Sequence, residues 1–183
     1  MVAGPNGAGK TTLVTRRIER RIPVVNPDVI AQELPRVNRG LDERRAGEIA
    51  LERRSGLLRD RVDFAIETTL SGNSTLRFMN AARGADYKVN LVFVGVRDAE
   101  LSGRRVADRV RRGGHSVPIT AIIRRYPDTL AKLPRAMALA DRTFVLDNSD
   151  KPRRLLLAYE DGRARFVAND LPAWFAGALP GVS

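Results

Sequence analysis

The sequence contains no cysteine and a single histidine, His115. Without cysteine the chain cannot form disulfides or a thiolate metal site, and one imidazole cannot build a histidine-rich metal centre. The 183 residues also contain no run of about 18 consecutive apolar residues, the length that a membrane-spanning helix requires. A glycine-rich segment begins at Gly4, and we therefore expect neither a signal peptide nor a membrane partner. These absences predict a cytoplasmic protein.

Lysine is also scarce in this basic chain. The only lysines among its 32 basic residues are Lys10, Lys88, Lys132 and Lys151, and the others are arginines. The formal net charge of +11 is spread along the whole chain and is not gathered into one tail or patch. A basic surface attracts polyanions such as nucleic acids. Because the arginines are spread along the whole chain, however, a GC-rich coding sequence explains them better than a dedicated nucleic-acid binding site. We therefore do not expect nucleic acid to be the main partner.

Apolar runs rich in β-branched residues alternate with longer helical segments, a pattern typical of a parallel sheet covered by helices. The predicted strands lie near Ile22–Asn26, Phe64–Thr68, Val89–Val96 and Thr143–Leu146. The predicted helices lie near Lys10–Arg20, Leu41–Val62, Ser74–Arg83, Glu100–Arg112 and Ile119–Ala140. A C-terminal β-hairpin is predicted from Arg154–Tyr159 and Ala164–Ala168, joined by a turn at Glu160–Gly162. The sequence thus predicts an α/β fold of the P-loop NTPase and kinase type.

Domain boundaries are predicted from where the motifs occur. Residues 1–150 are expected to form a P-loop kinase domain that includes an arginine-rich lid at about 98–126. Residues 151–183 are expected to form a hairpin and a tail packed on the same domain. Only Met1, Val2 and Ala3 precede the glycine-rich segment, so the first strand is expected to be truncated.

The segment Gly4–Thr11 matches the phosphate-binding pattern G-x-x-x-x-G-K-[ST] at every fixed position. Its glycines let backbone N–H groups approach phosphate oxygens, and the helix that begins near Lys10 directs its N-terminal dipole at the same anion. Lys10 is expected to reach the β- and γ-phosphates, and the Thr11 hydroxyl is expected to bind Mg²⁺. The residues predicted to bind the nucleotide are Gly4, Pro5, Asn6, Gly7, Ala8, Gly9, Lys10, Thr11 and Thr12.

Asp28 follows the second predicted strand, and open α/β sheets bind their ligands beside such strand ends. Motors, GTPases, transporters and kinases all contain a phosphate loop, so the reaction has to be inferred from residues outside that loop, such as Asp28. A carboxylate near the γ-phosphate can accept a proton from an acceptor hydroxyl. The alternative is that Asp28 caps the helix that follows it through Ala31 and Gln32. We favour the catalytic role.

Glu67 and the hydroxyls of Thr68 and Thr69 occupy the corresponding position at the next predicted strand. Polar groups at that point suit either a hydroxyl-rich acceptor or the shell of a bound Mg²⁺. Some of the polar residues here have a structural alternative, and we expect Ser71 or Asn73 to cap the helix near Ser74.

Arginines are dense between Arg104 and Arg125, on two predicted helices joined by Gly113-Gly114. This arrangement resembles a lid that closes over phosphates, because guanidinium groups stabilise the charge of a transferring phosphoryl group. The alternative for at least half of these arginines is a solvated helix face. For His115 a hydrogen-bonding role in the loop is favoured over proton transfer.

Taken together, these residues resemble the zeta-toxin family of P-loop kinases, in particular its short branch with a GGHxVP motif. The resemblance covers residues 4 to 149 in the family's order. Its matching pieces are GPNGAGKTT (Gly4–Thr12), NPDVIA (Asn26–Ala31), ETTLSG (Glu67–Gly72), RVRRGGHSVP (Arg109–Pro118), IIRRY (Ile122–Tyr126) and DNS (Asp147–Ser149).

The resemblance implies a kinase that transfers the γ-phosphoryl group of ATP, in preference to GTP, to an alcohol group of a small-molecule acceptor. In the characterised toxins the acceptor is UDP-N-acetylglucosamine, and an antitoxin protein becomes a further candidate partner. The residues that the resemblance makes catalytic are Lys10, Asp28, Arg109, Arg124 and Arg125. Those that it places at the acceptor are Asp28, Glu67, Thr68 and Thr69, and Thr11 holds Mg²⁺.

Two other functions remain open at this stage. The first is a kinase of another acceptor, such as a nucleotide, a dinucleotide cofactor or an RNA end. The high arginine content favours this hypothesis. The second is a nucleotide-binding switch without catalysis, since no hydrolysis motif is recognisable.

Overall fold

The computed structural model describes residues 1–35 and 39–182. In chain order its strands are β1 (Val2–Ala3), β2 (Val24–Val25), β3 (Ala65–Thr68), β4 (Asn90–Gly95), β5 (Arg142–Asp147), β6 (Arg154–Glu160) and β7 (Arg163–Val167). Its helices are α1 (Lys10–Arg17), α2 (Pro27–Glu33), α3 (Arg39–Arg59), α4 (Asn73–Gly84), α5 (Ala99–Arg111), α6 (Ile119–Ala131), α7 (Leu133–Ala138) and α8 (Ala173–Ala178). These elements form two units, one of Met1–Lys10 with the chain from Thr69 onward, the other of Thr11–Thr68.

The first unit contains a five-stranded mixed sheet in the order β1-β4-β5-β6-β7. Strand β1 pairs in parallel with β4, and β4 in parallel with β5. The predicted hairpin β6–β7 then extends the sheet in antiparallel pairing. Strand β1 has two residues, and both are buried.

The core of the first unit lies between its sheet and its helices. It is built from large apolar side chains that are almost completely buried, because the central strands are apolar on both faces. Its largest members include Phe93, Leu91, Met79, Leu133 and Phe175. The segment after residue 150 contributes Trp174 and Phe175 to this cluster. The predicted division at residue 150 stays a prediction.

The second unit contains the parallel pair β2 and β3, with Val24 opposite Ala65 and Val25 opposite Ile66. Helices α2 and α3 pack against each other in this unit. Its buried apolar side chains are smaller than those of the first unit, and they are Val14, Val25, Ile30, Ala46, Ala50, Ala65 and Ile66.

The predicted α/β fold is confirmed, and two element predictions need correction. The single helix predicted for Ile119–Ala140 is two helices, α6 and α7, which meet at Lys132. Pro134 in the first turn of α7 is consistent with the break, since a proline has no N–H with which to continue the hydrogen bonds of the preceding helix. Helix α8, which has six residues, was not predicted.

Candidate functional site

The phosphate loop lies between β1 and α1, where three of its glycines have positive φ angles. At Gly4, with φ of 139°, an added Cβ atom would lie 2.1 Å from the carbonyl oxygen of Val94. No other residue fits there, because every other side chain contains that atom. Lys10 is buried, and its Nζ donates a 2.8 Å hydrogen bond to the carbonyl of Pro5. Thr12 is exposed at the first turn of α1.

Thr11 is linked to the end of β3 by a short polar network within the second unit. Its Oγ1 donates a 2.8 Å hydrogen bond to Oε1 of Glu67. The other carboxylate oxygen, Oε2, accepts a 2.8 Å bond from Nδ2 of Asn26. Glu67 is only 7% exposed, and these donors compensate the loss of hydration of its carboxylate. The network thus holds a negative charge beside the threonine of the phosphate-binding motif.

Asp28 lies in the first turn of α2, and its side chain is exposed. The capping alternative for Asp28 is wrong, because Asn26 is the N-cap and its Oδ1 accepts a 2.9 Å bond from the Asp28 backbone N–H. Within residues 1–35 and 39–182, the Asp28 carboxylate has no hydrogen-bond or ion-pair partner. Asparagine caps a helix for the same reason as aspartate, because its side-chain oxygen accepts a hydrogen bond from a backbone N–H of the first turn.

Thr68 ends β3, and Thr69 begins the loop that leads to α4. Both are partly buried, and the hydroxyls of Thr69 and Ser71 lie 3.0 Å apart. The expectation that Ser71 or Asn73 caps α4 is wrong, because the N-cap is Gly72 and no side chain bonds there. The hydroxyl of Ser71 is instead within hydrogen-bond distance of Thr69.

The arginines of α5 have separate partners. Arg104 pairs with Glu100 and Arg111 with Asp108, and all four side chains are substantially exposed. These two arginines therefore belong to the solvated face that sequence reasoning allowed for. Such exposed pairs contribute little to stability.

Arg109 is turned toward the loop that follows its own helix. Its Nε and Nη2 donate hydrogen bonds of 3.0 and 2.7 Å to the carbonyl of His115. Gly113, with φ of 82°, and Gly114 end the helix by bonding the carbonyls of Val110 and Arg109. The glycine pair therefore forms a hydrogen-bonded helix terminus. His115 takes part through its backbone carbonyl.

A surface cavity of about 380 Å³ opens beside this helix terminus. Its lining residues are Arg105, Asp108, Arg109, Arg112 and Gly114. Three guanidinium groups and one carboxylate give the lining an excess of positive charge, which suits an anionic ligand.

Arg124 is exposed on α6, and Arg125 is half-buried. The next residue, Tyr126, fixes this helix to the end of β4 through a 2.7 Å bond from its hydroxyl to the carbonyl of Val96. Burial, together with the negative charges of Asp98 and Asp147, raises the pKa of Tyr126 to about 12. The phenol therefore stays neutral and keeps its donor at physiological pH.

Comparison with known proteins assigns these motifs to a family. A family model described as an AAA domain matches residues 1–133, which is most of the chain. The chain belongs to this AAA domain family. Over 123 residues it is also 31% identical to an uncharacterized protein of Haemophilus influenzae, and the match covers 67% of this chain and 88% of that protein.

Two solved structures have a similar fold. The crystal structure of AvrRxo1-ORF1:-ORF2 with ATP matches with a TM-score of 0.72 and 16% identity, over 89% of this chain and 58% of that chain. This AAA domain protein thus spans less than two thirds of that chain. A structure from the PezAT chromosomal toxin–antitoxin system of Streptococcus pneumoniae matches with a TM-score of 0.64 and 16% identity, over 98% and 81% of the two chains. Both matches support the P-loop kinase-like fold.

The described residues of this AAA domain protein include oxygen ligands that could contribute to a metal site. In the part of the chain that the structure describes, no group of three or more histidine, cysteine or acidic side chains could hold a metal ion. The Thr11 hydroxyl and the Glu67 carboxylate, 2.8 Å apart, are oxygen donors of the kind that Mg²⁺ uses. Mg²⁺ commonly takes one or two carboxylates and completes its shell with water and phosphate oxygens. The residues present therefore fit this ion.

Sequence reasoning missed the side chains that contact the backbone of the phosphate loop. Asn148 and Arg153 donate hydrogen bonds to loop carbonyls, and Arg105 bonds the segment around Asn148. The Asp147–Ser149 motif was recognised, but nothing in its letters indicated what it contacts. A polar segment directly after a buried strand was the available signal.

No helix in the described residues is both long enough and apolar enough to cross a membrane.

Proposed function

We propose that this AAA domain protein is an ATP-dependent kinase that transfers the γ-phosphoryl group to a hydroxyl of a small-molecule acceptor. One observation carries the proposal. The buried Glu67 carboxylate accepts hydrogen bonds from both Thr11 and Asn26, so an acidic group is fixed beside the threonine of the phosphate-binding motif. A buried, oriented carboxylate beside that threonine suits the Mg²⁺ ion on which phosphoryl transfer from ATP depends.

Thr11 and Glu67 would hold Mg²⁺ in this proposal, Thr11 directly and Glu67 directly or through water. When bound, the ion would neutralise charge on the phosphate oxygens. Because Glu67 is hydrogen-bonded to Thr11, we propose that it helps to hold Mg²⁺ and does not contact the acceptor. Lys10, buried and already oriented by Pro5, supplies a positive charge to the β- and γ-phosphates.

Asp28 serves as the general base. Its carboxylate is exposed and has no partner in the described part of the chain, so it is available to an acceptor hydroxyl. As the acceptor oxygen bonds to the γ-phosphorus, the bond from that phosphorus to the β–γ bridging oxygen breaks and ADP leaves. The hydroxyl proton passes to Asp28. Thr68 and Thr69 are proposed to bind the acceptor.

The arginine-lined cavity supports an acceptor that itself carries phosphate. Arg109 donates two of its five N–H groups to His115, so three remain for an anion. The proposed catalytic role of Arg124 and Arg125 rests on their place on the next helix, α6. A nucleotide sugar such as UDP-N-acetylglucosamine combines hydroxyl groups with a diphosphate, and we propose this class first. The motif of Gly113–Pro118 supports the short branch of the zeta-toxin family.

The test is mass spectrometry of a metabolite panel incubated with the protein, ATP and Mg²⁺. The panel contains UDP-N-acetylglucosamine, other nucleotide sugars, nucleotides, dinucleotide cofactors and a short RNA. We expect the mass of one phosphate to be gained by one nucleotide sugar, and the gain to be lost in Asp28→Asn. Asp161→Asn, in the β6–β7 turn at φ of 49°, is the matched control, because asparagine tolerates that conformation.

Each outcome has a distinct meaning. A gain on a dinucleotide or an RNA end keeps the kinase and changes the acceptor. No gain on any compound, with ATP binding measured by calorimetry, contradicts the kinase and leaves the nucleotide-binding switch. A gain that survives Asp28→Asn removes Asp28 as the base.

Toxicity with an antitoxin partner is proposed as the biological setting. The support is the similarity in fold to a structure from the PezAT toxin–antitoxin system. Induced expression is expected to arrest growth of the host cell, and Lys10→Met is expected to abolish the arrest. Equal growth with both forms would contradict the toxin role while leaving the kinase intact.

A further inference from the structure

The phosphate loop of the first unit is braced on its carbonyl side by the segment after β5. Nδ2 of Asn148 donates a 2.8 Å hydrogen bond to the carbonyl of Ala8. Nη2 of Arg153 donates a 3.3 Å bond to the carbonyl of Gly9. Two successive carbonyls of the loop are therefore bonded by side chains from one neighbouring segment.

These bonds matter because of how such a loop binds an anion. Its N–H groups have to converge on the phosphate oxygens, so its carbonyls need partners elsewhere. Ala8 is completely buried, and a buried carbonyl without a donor would destabilise the loop conformation that binds phosphate. Asn148 supplies that donor.

Asn148 is itself held by backbone and side-chain contacts. Its N–H donates a 2.9 Å bond to the carbonyl of Gly95 at the end of β4. The guanidinium of Arg105 donates bonds of 2.5 and 2.9 Å to the carbonyls of Asn148 and Ser149. The Asn148 amide is thus presented to Ala8 from a fixed backbone.

Asp147 connects this brace to the C-terminal helix α8. Its Oδ1 accepts bonds from the N–H and hydroxyl of Ser149, at 3.1 and 2.6 Å, and from Nε1 of Trp174, at 3.2 Å. Trp174 is the only tryptophan in the sequence and is 6% exposed. Its indole therefore reports on the segment that touches the phosphate loop.

We propose that Asn148 is a positioning residue that holds the phosphate loop in its binding conformation, and that nucleotide binding is thereby coupled to Trp174. The inference rests on the nucleotide binding that the proposed function includes, but not on phosphoryl transfer. It also gives the segment after residue 150 a part in the site.

The test combines calorimetry and tryptophan fluorescence on the full chain with ATP and Mg²⁺. In the unchanged protein, we expect a saturable change of Trp174 emission whose midpoint agrees with the calorimetric Kd. In Asn148→Ala, we expect the Kd to rise at least tenfold and the emission change to be reduced. Asn80→Ala, an exposed asparagine on α4, is the matched control and should alter neither.

A merely structural role would lower the thermal midpoint without changing the Kd of the folded protein, and that result would overturn the inference. Binding without any change of Trp174 emission would overturn it as well. If Asn148→Ala does not fold, Asn148→Asp, which keeps the size but loses the donor, is measured in the same way. Absence of ATP binding in the unchanged protein would overturn this inference and the proposed function together, whereas an unchanged Kd in Asn148→Ala overturns only this one.

Discussion

The hydroxyl of Thr11 donates its hydrogen bond to a carboxylate oxygen of Glu67, 56 positions later in the chain and 2.8 Å away. A threonine at the end of a phosphate-binding motif is usually considered alone, as a ligand of Mg²⁺. Here its hydroxyl is oriented by an acidic residue whose other oxygen is also occupied by Asn26. Glu67 therefore fixes the direction of the threonine hydroxyl and places a negative charge beside it.

Glu67→Gln is expected to weaken Mg²⁺-dependent ATP binding by about tenfold, because outer ligands of a metal typically contribute that much. The substitution also replaces a carboxylate that accepts two hydrogen bonds by an amide that can accept only one of them, which should destabilise the fold by about 1–2 kcal/mol. The measurements are the ATP Kd with Mg²⁺ and with EDTA, and urea unfolding. Glu52→Gln, exposed on α3, is the control. An equal ATP Kd for the two variants in the presence of Mg²⁺ would contradict the proposal that Glu67 helps to hold Mg²⁺.

Lys10→Met separates binding from folding. Methionine fills a similar volume, so we expect the free energy of unfolding to stay within about 2 kcal/mol of the original, even though the bond to Pro5 is lost. The ATP Kd is expected to rise more than about tenfold, since a charged contact to phosphate is removed. Lys88→Met serves as control, because that side chain is 86% exposed and forms an ion pair with Asp141. Unaltered ATP affinity in Lys10→Met would refute the assignment.

Arg109→Gln and Arg104→Gln remove one charge each from the same helix. Arg109 lines the cavity and contacts the His115 carbonyl, whereas Arg104 forms an exposed pair with Glu100. We expect kcat for phosphoryl transfer to fall by about 100-fold in Arg109→Gln, the usual effect of losing one charge-stabilising donor. Arg104→Gln should leave kcat within about twofold of the original, because exposed pairs contribute little. Similar losses in both variants would indicate a general charge effect.

Gly95→Ala should be among the most destabilising small substitutions in the chain. The added methyl group would lie 2.2 Å from the ring of Trp174, at the end of a buried strand. Overpacking of this kind costs about 1–3 kcal/mol, and the rigid indole places Gly95→Ala at the upper end. Gly47→Ala, in the middle of α3 with nothing within 4 Å of the new atom, should instead stabilise by about 1 kcal/mol. Thermal unfolding of the two variants is expected to give shifts of opposite sign.

Tyr126 gives the protein a defined loss of stability at high pH. Because its pKa is raised to about 12 in the folded protein, above the value of about 10 of a free tyrosine, the neutral phenol is favoured by folding. This contribution is complete below pH 10 and is lost as the pH rises toward 12. The thermal midpoint should therefore fall between pH 10 and 12 more steeply in the original protein than in Tyr126→Phe. Parallel curves would show that the phenol does not contribute.

The sequence was most informative where a local pattern determines the structure. The phosphate loop follows from residue types at fixed spacing, and the central strands follow from apolar runs that can only be buried. Asn26 shows the limit of such reasoning. It and Asp28 are both good caps two positions apart, and the choice between them depends on backbone geometry.

Contacts between residues that are far apart in the chain could not be predicted from the sequence. Helix α8 has six residues and is not stable alone, so its presence depends on the packing of Trp174 against Phe93, with ring centroids 6.2 Å apart. The bond from Asn148 to Ala8 joins residues 140 positions apart. Such a contact can be found only after the sheet has brought the end of β5 beside the loop.

The contact between Gly4 and the Val94 carbonyl also has a genetic consequence. Every missense change of the Gly4 codon introduces the Cβ atom that would lie 2.1 Å from that oxygen. Mutational tolerance at this position should therefore be close to zero even in a screen that selects only for a folded, abundant protein. The codon for Gly4 should therefore lack missense variants even in gene copies that have lost catalytic activity, provided that selection still requires the protein to fold.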